Sequence, residues 1–196
     1  MPDTALPVLT GTAALRESAF STTPLCFPGI FTSRECDDIL AIAEPRLKYR
    51  SGLSVPREGV RTALTAWLDP GPETQAVTDR LSRLVHQVNA YYDFDIVGFR
   101  DPLLISRYLP EDHFDWHFDV ADPATSTRKL SLSVQLSEPS EYDGGALEFS
   151  PRGELPFARA RGSVIVFPSY LCHRVSPVTR GARAALICWA HGPAFR

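Results

Sequence analysis

The chain has 196 residues, 44% hydrophobic and 22% charged, which suits one globular domain with a sizeable core. Its net charge of -3, with no basic run, argues against a broad phosphate-binding surface, so nucleic acid is not an expected partner. No apolar run approaches the ~20 residues that span a bilayer, and residues 1–24 lack the basic start and apolar centre of a secretory signal. A cytoplasmic protein without a membrane span is the expectation. The cysteines, Cys26, Cys36, Cys172 and Cys188, are scattered without a C-x-x-C pair and are expected to be reduced and mostly buried.

In chain order, a Pro/Thr/Ser-rich start leads to a short strand or turn at Phe27 to Phe31. Thr32-x-x-Glu35 then has the form of a capping box opening a helix, with Cys36, Ile39, Leu40 and Ala43 at helical spacing. Tyr49 to Val60, rich in Arg, Ser, Gly and Pro, reads as a connecting loop. A second helix is predicted from about Pro72 to Tyr92, with an apolar stripe of Val77, Leu81, Leu84, Val85, Val88 and Tyr91 and with His86 on its surface side. Beyond Asp95 come short strand-like runs at Leu103 to Leu109, His113 to Val120, Lys129 to Leu136, Ala146 to Phe149, Ser163 to Phe167 and Ala184 to Trp189. Gly, Pro and Asp punctuate them, so the pattern predicts an antiparallel β-sandwich or barrel buttressed by two helices.

Two overlapping His-x-Asp pairs stand in His113-Phe114-Asp115-Trp116-His117-Phe118-Asp119, and His173 follows more than fifty residues later. Two imidazoles and a carboxylate can occupy one face of an octahedral Fe(II), leaving three positions open, as in mononuclear iron oxygenases. Strand alternation places His113, Asp115, His117 and Asp119 on one face and Phe114, Trp116 and Phe118 on the other, with Trp116 packed between layers. On spacing alone either pair can supply the ligands. A zinc helix of the H-E-x-x-H kind is disfavoured, because Phe114 stands where the glutamate belongs. Ten residues after His173 comes Arg183, whose guanidinium fork suits a dicarboxylate. Arg180, in the preceding turn, is a second but more solvated candidate. Gly144-Gly145 suits a tight turn or bulge, and Trp189 suits the core or the border of a pocket.

Several of these motifs, in order, resemble the 2-oxoglutarate and Fe(II)-dependent dioxygenases of the prolyl 4-hydroxylase type. They are Tyr108, Trp116-His117-Phe118-Asp119, Arg128 to Leu136, Tyr142 to Glu148, the glycine-led strand to His173, Pro177 to Arg183, and Trp189. The resemblance covers roughly Leu103 to Arg196. It implies an α+β, mainly β fold: a double-stranded β-helix, or jelly-roll, sandwich buttressed by two or more N-terminal helices. It further implies a single dioxygenase domain over 1–196, with an irregular segment at 1–24, helical support at 25–94 and the jelly-roll core with its metal site at 95–196.

Carried onto this chain, the resemblance makes His117, Asp119 and His173 the metal and catalytic residues, and leaves His113 and Asp115 toward the pocket entrance. Arg183, Tyr108 and Gln135 become the 2-oxoglutarate-binding residues, with Gln135 standing where relatives often carry a tyrosine. Ser131, Ser133 and Gln135 turn toward the pocket, and Leu130, Leu132, Val134 and Leu136 turn away. The implied cofactors are Fe(II), 2-oxoglutarate as cosubstrate and dioxygen, with ascorbate as a candidate auxiliary reductant. The implied activity is hydroxylation of an unactivated C–H of a prolyl or other amino-acid group, with decarboxylation of 2-oxoglutarate to succinate. A peptide, an amino acid or a small molecule would be the substrate partner. The alternatives are a small-molecule tailoring oxygenase of the same mechanism and a catalytically silent β-sandwich module.

Overall fold

A computed structural model describes residues 22–51 and 60–195. The start expected to be irregular, through residue 21, and residues 52–59 of the expected connecting loop lie outside the described residues. The N-terminal part runs β1 (Leu25–Phe27), α1 (Ser33–Ala43), β2 (Lys48–Ser51), β3 (Arg61–Leu68) and α2 (Pro72–Tyr92). The strands β4 (Gly98–Phe99), β5 (Leu103–Tyr108), β6 (His113–His117), β7 (Arg128–Gln135) and β8 (Tyr142–Gly144) follow. The chain closes with β9 (Leu147–Phe149), β10 (Gly153–Glu154), β11 (Val164–Pro168), β12 (His173–Val175), β13 (Val178–Gly181) and β14 (Arg183–His191).

Strands β1, β11, β7, β14, β5 and β3 are hydrogen-bonded in that order, with β2 beyond β3 and β4 on β14. The ladder continues from the start of β3 into a second layer, β6-β12-β9-β10, while β8 and β13 form a separate pair. The result is the helix-buttressed jelly roll that the motifs imply.

The capping box at the start of α1 is present. Glu35 N–H donates to Thr32 Oγ1 at 3.3 Å and Thr32 N–H donates to Glu35 Oε2 at 2.8 Å. The same carboxylate accepts from Arg80 of α2 at 2.8 Å, and Arg80 also donates to Ile30 O at 3.0 Å, so one ionic knot ties the two helices to the turn after β1. The helices cover one face of the larger sheet. Cys36, Ile39, Leu81, Val85 and Val88 pack there on Leu130, Leu132, Val134, Leu136, Leu186 and Cys188. A second apolar cluster, with Tyr108, Phe114, Phe149, Ile165, Phe167 and Val175, lies between the two layers.

Three details depart from the sequence pattern. In α2 the buried aromatic is Tyr92, not Tyr91, which is 49% exposed. The Tyr92 hydroxyl lies 3.0 Å from Val166 O and 2.8 Å from Thr23 O, so its single proton is shared between two backbone acceptors, and this anchoring brings Tyr92 to the sheet. Tyr49 to Ser51, expected in a loop, completes β2 and pairs with Thr62 to Leu64. The alternation rule does not pick out β3 at all. Its Ala63 faces the space between layers and its Ala66 and Leu68 face the helices, so both faces are buried and no polar-apolar rhythm survives.

Removing the Thr32 hydroxyl deletes the cap acceptor. Thr32→Ala is expected to lower stability by ~1 kcal/mol, read as a reduced urea midpoint with an unchanged m-value.

Candidate metal and cosubstrate site

Between the layers lies a cavity of about 140 Å³ whose wall includes His117, Asp119, His173, Tyr108, Arg183 and Trp189. The register of the strands explains the gathering. β12 inserts between β6 and β9, and His173 pairs directly with His117. Further along this ladder Val175 pairs with Phe114, so two steps on β12 match three on β6, a β-bulge at Asp115-Trp116. Asp115 N–H turns out of the ladder to donate to Val60 O at 2.8 Å.

The bulge overturns the simple alternation expected for this strand. Phe114 and His117 lie on the same side, with their rings stacked at 3.5 Å and 10°. Asp115 is exposed, and neither it nor His113 lines the cavity, so the pocket-entrance role is not supported. His113 Nδ1 instead lies 3.2 Å from Glu111 O and 3.5 Å from Thr62 Oγ1. Trp116 is not packed between layers. It is 41% exposed on the outer face, with the Arg174 guanidinium 4.7 Å from its ring centroid. A strand here also removes the helix that a zinc motif needs.

The three groups expected as ligands come together. Nδ1 of His117 donates to Asp115 O at 2.8 Å, and Nδ1 of His173 donates to Leu171 O at 2.8 Å. Each bond fixes the tautomer and leaves Nε2 with its lone pair. Asp119, past the end of β6, places Oδ1 3.8 Å from His117 Nε2 and Oδ2 3.7 Å from His173 Nε2. The ligand atoms of all three residues lie within 4.8 Å of one another, a separation that a single ion can bridge with little side-chain adjustment. The donor set, two imidazoles and a carboxylate, fits Fe(II) with open positions.

Burial, and then the proximity of His173, push the His117 imidazole down to about 4. For Asp119 burial acts to raise the carboxyl. The nearby His173 and His117 and the Ser131 hydrogen bond outweigh it and hold the group below its usual range. The site is therefore set for a neutral imidazole beside an ionised carboxylate, the forms that bind a metal.

At the other end of the cavity Arg183 is 3% exposed. No acidic side chain among the described residues forms an ion pair with it, although a buried guanidinium is costly without a counter-charge. Its guanidinium carbon lies 5.7 Å from the ring centroid of Tyr108, its partner across the β5–β14 ladder. Burial raises the Tyr108 phenol, against the opposing influence of Arg183 and Arg61, so the hydroxyl stays protonated. Gly145 makes room for this arginine. It has φ +57°, and an added Cβ would lie 3.0 Å from Arg183 Cδ and 2.9 Å from Val178 Cγ2.

Gln135 does not belong to the cavity wall. It is 1% exposed and donates to Tyr142 Oη at 3.0 Å, a bond that turns its amide away from the pocket. Ser133 of the same strand face does line the cavity, and Ser131 reaches Asp119. Arg180 sits outside, paired with Asp143 on exposed strand β13. Pattern reading assigned no role to Arg61, Trp67 and Arg128, which also line the wall. Arg61 and Trp67 come from β3, the strand without a sequence signal. Arg128 stacks on Trp189 at 3.7 Å while donating to Asp101 at 2.7 and 3.1 Å, contacts that only the folded ladder creates.

Residues 103–191, from the first residue of β5 to the last of β14, match the family model described as the 2OG-Fe(II) oxygenase superfamily. A PKHD-type hydroxylase of Sphingopyxis alaskensis is 41% identical over 102 residues, 50% of this chain and 47% of that protein. One from Synechococcus sp. (strain CC9605) is 28% identical over 152 residues, 76% of this chain and 68% of that protein. The chain thus spans about half the length of the first relative. Among solved structures, a Pseudomonas putida prolyl-4-hydroxylase superposes with TM-score 0.71 at 20% identity, covering 91% of this chain and 97% of that one. A Trichoplax adhaerens prolyl hydroxylase, solved with a hypoxia inducible factor oxygen degradation domain peptide, gives TM-score 0.72 at 14% identity over 89% and 86%. At these identities the structural likeness is one of fold.

The direction of the His117 shift fixes a pH dependence. Between its usual 6.5 and the folded value of about 4, the unfolded chain takes up a proton that the folded chain refuses, so stability falls as pH falls through that window. Asp119, held low, adds to the loss only below about 3.8. The melting temperature of metal-free protein is expected to drop from pH 6.5 to 4 more steeply than that of His117→Gln.

Proposed function

We propose that this chain, whose residues 103–191 match the model of the 2OG-Fe(II) oxygenase superfamily, is an Fe(II)- and 2-oxoglutarate-dependent hydroxylase acting on a prolyl or other amino-acid group. The observation that carries this reading is one cavity with two complementary ends: His117, Asp119 and His173 at one, and at the other the buried Arg183, with which no acidic side chain among the described residues pairs. A structural core requires neither end. Together they suit a metal and a dianion with its second carboxylate remote from the first. The PKHD-type and prolyl hydroxylase names of the relatives support a peptide or amino-acid substrate.

In this reading His117, Asp119 and His173 would hold Fe(II), which would supply oxygen activation coupled to decarboxylation of the keto acid to succinate. The protein's residues bind and orient. Arg183 would grip the distal carboxylate through its planar fork, and the Tyr108 hydroxyl beside it can donate to the same group. The backbone carbonyls of Asp115 and Leu171 keep both imidazoles presenting Nε2. Leu104, Ile187, Phe167 and Val175 give the wall an apolar lining that limits water around the reacting atoms.

Anaerobic addition of Fe(II) and 2-oxoglutarate is expected to produce the visible charge-transfer band of a chelated keto acid. His173→Ala should abolish metal retention, whereas Arg183→Ala should keep the metal and weaken 2-oxoglutarate at least tenfold. Absence of the band from the unmutated protein would refute the assignment. Gly145→Ala, which presses on the Arg183 side chain, is expected to weaken 2-oxoglutarate several-fold while leaving Fe(II) affinity near wild type, measured by titration of the same band.

A further inference from the structure

Asp119 is held by more than its place after β6. We infer that Ser131 and Ser169 act as a positioning pair for its carboxylate, engaging Oδ2, 3.7 Å from His173 Nε2, by hydrogen bonding and leaving Oδ1, 3.8 Å from His117 Nε2, without that bond. The inference rests on the metal-centre reading above. Ser131 Oγ lies 2.6 Å from Asp119 Oδ2, and Ser169 Oγ lies 2.9 Å from Ser131 Oγ. Both serines are 0% exposed.

Counting protons orders the chain of bonds. An ionised carboxylate only accepts, so the single hydroxyl proton of Ser131 goes to Asp119. Ser131 can then only accept from Ser169, whose proton completes the relay. Donation from Ser169 makes Ser131 a stronger donor, since hydrogen bonds in series polarise one another.

Ser169 also holds Asp119 directly, because its carbonyl accepts Asp119 N–H at 3.0 Å. Its own N–H is tied to Lys129 O at 3.0 Å on the neighbouring strand. The two hydroxyls therefore come from adjacent strands already locked in register, Phe167 opposite Ser131. They could satisfy each other without the carboxylate, yet the chain of donors terminates on it. The effect is to restrict rotation of the carboxylate and to bias it toward binding through one oxygen, which keeps coordination positions open for small molecules.

Co(II) is a suitable probe, since its visible d–d bands report coordination number and geometry without turnover. The purified 196-residue chain should bind Co(II), and His173→Ala should not; failure of the unmutated protein to bind would overturn the metal reading and this inference together. With that established, Ser131→Ala is expected to weaken Co(II) at least tenfold and to alter the d–d spectrum, while Ser131→Thr restores both. Unchanged affinity and spectrum in Ser131→Ala would overturn the inference. So would an equal loss in Ser131→Thr, which would assign the effect to packing. Should Ser131→Ala fail to fold, Ser169→Ala answers the question: the relay predicts a several-fold weakening with a spectral change, and wild-type behaviour refutes it.

Discussion

The insertion of β12 between β6 and β9 is the constraint on which the site depends. It sets His173 directly opposite His117 and, through the bulge two residues away, turns Phe114 and His117 to the same side. An antiparallel ladder holds such a pair to within about 5 Å between Cα atoms before any side chain is chosen. Asp119 needs a separate device, since it lies beyond the strand. Ser169 supplies it from the end of β11, tying the carboxylate's backbone to the larger sheet. The candidate metal site thus draws on both layers of the sandwich: its histidines stand on β6 and β12, and the ties on Asp119 come from the larger sheet.

Electrostatics divides the cavity. One end gathers two imidazoles, that of His117 held neutral, around an ionised carboxylate; the other buries a cation with no acidic neighbour among the described residues to answer it. A folded chain tolerates an uncompensated guanidinium when a ligand completes the charge balance in the working state. Arg128 shows the contrast. It also lines the cavity, but Asp101 satisfies it, and its flat face covers Trp189.

How far the chain could be read beforehand depended on the range of the interaction. Local signals carried well: the Thr32–Glu35 box starts α1, Pro72 opens α2, and the alternation of Leu130 to Leu136 separates core from pocket on β7. The spacing of His117, Asp119, His173 and Arg183 survived into one cavity because strand ends and corners fixed their places. What escaped was non-local. The bulge arises from how β12 meets β6, so period-two reasoning placed His113 and Asp115 on the wrong footing. Gln135 found Tyr142, seven residues on, as a partner. β3, buried on both faces, showed no rhythm to read, and with it went Arg61 and Trp67.

Strand β14 carries a consequence for how this architecture can vary. Ala184, Leu186, Cys188 and Ala190 belong to the core under the helices, while Arg183, Ala185, Ile187 and Trp189 border the cavity. A one-residue insertion or deletion within the strand would exchange the two sets beyond that point, driving Trp189 under the helices and Cys188 toward the metal. Length changes within β14 are therefore costly unless a bulge absorbs them, and divergence proceeds more readily by replacing cavity-facing side chains one at a time or by remodelling the loops outside the ladder.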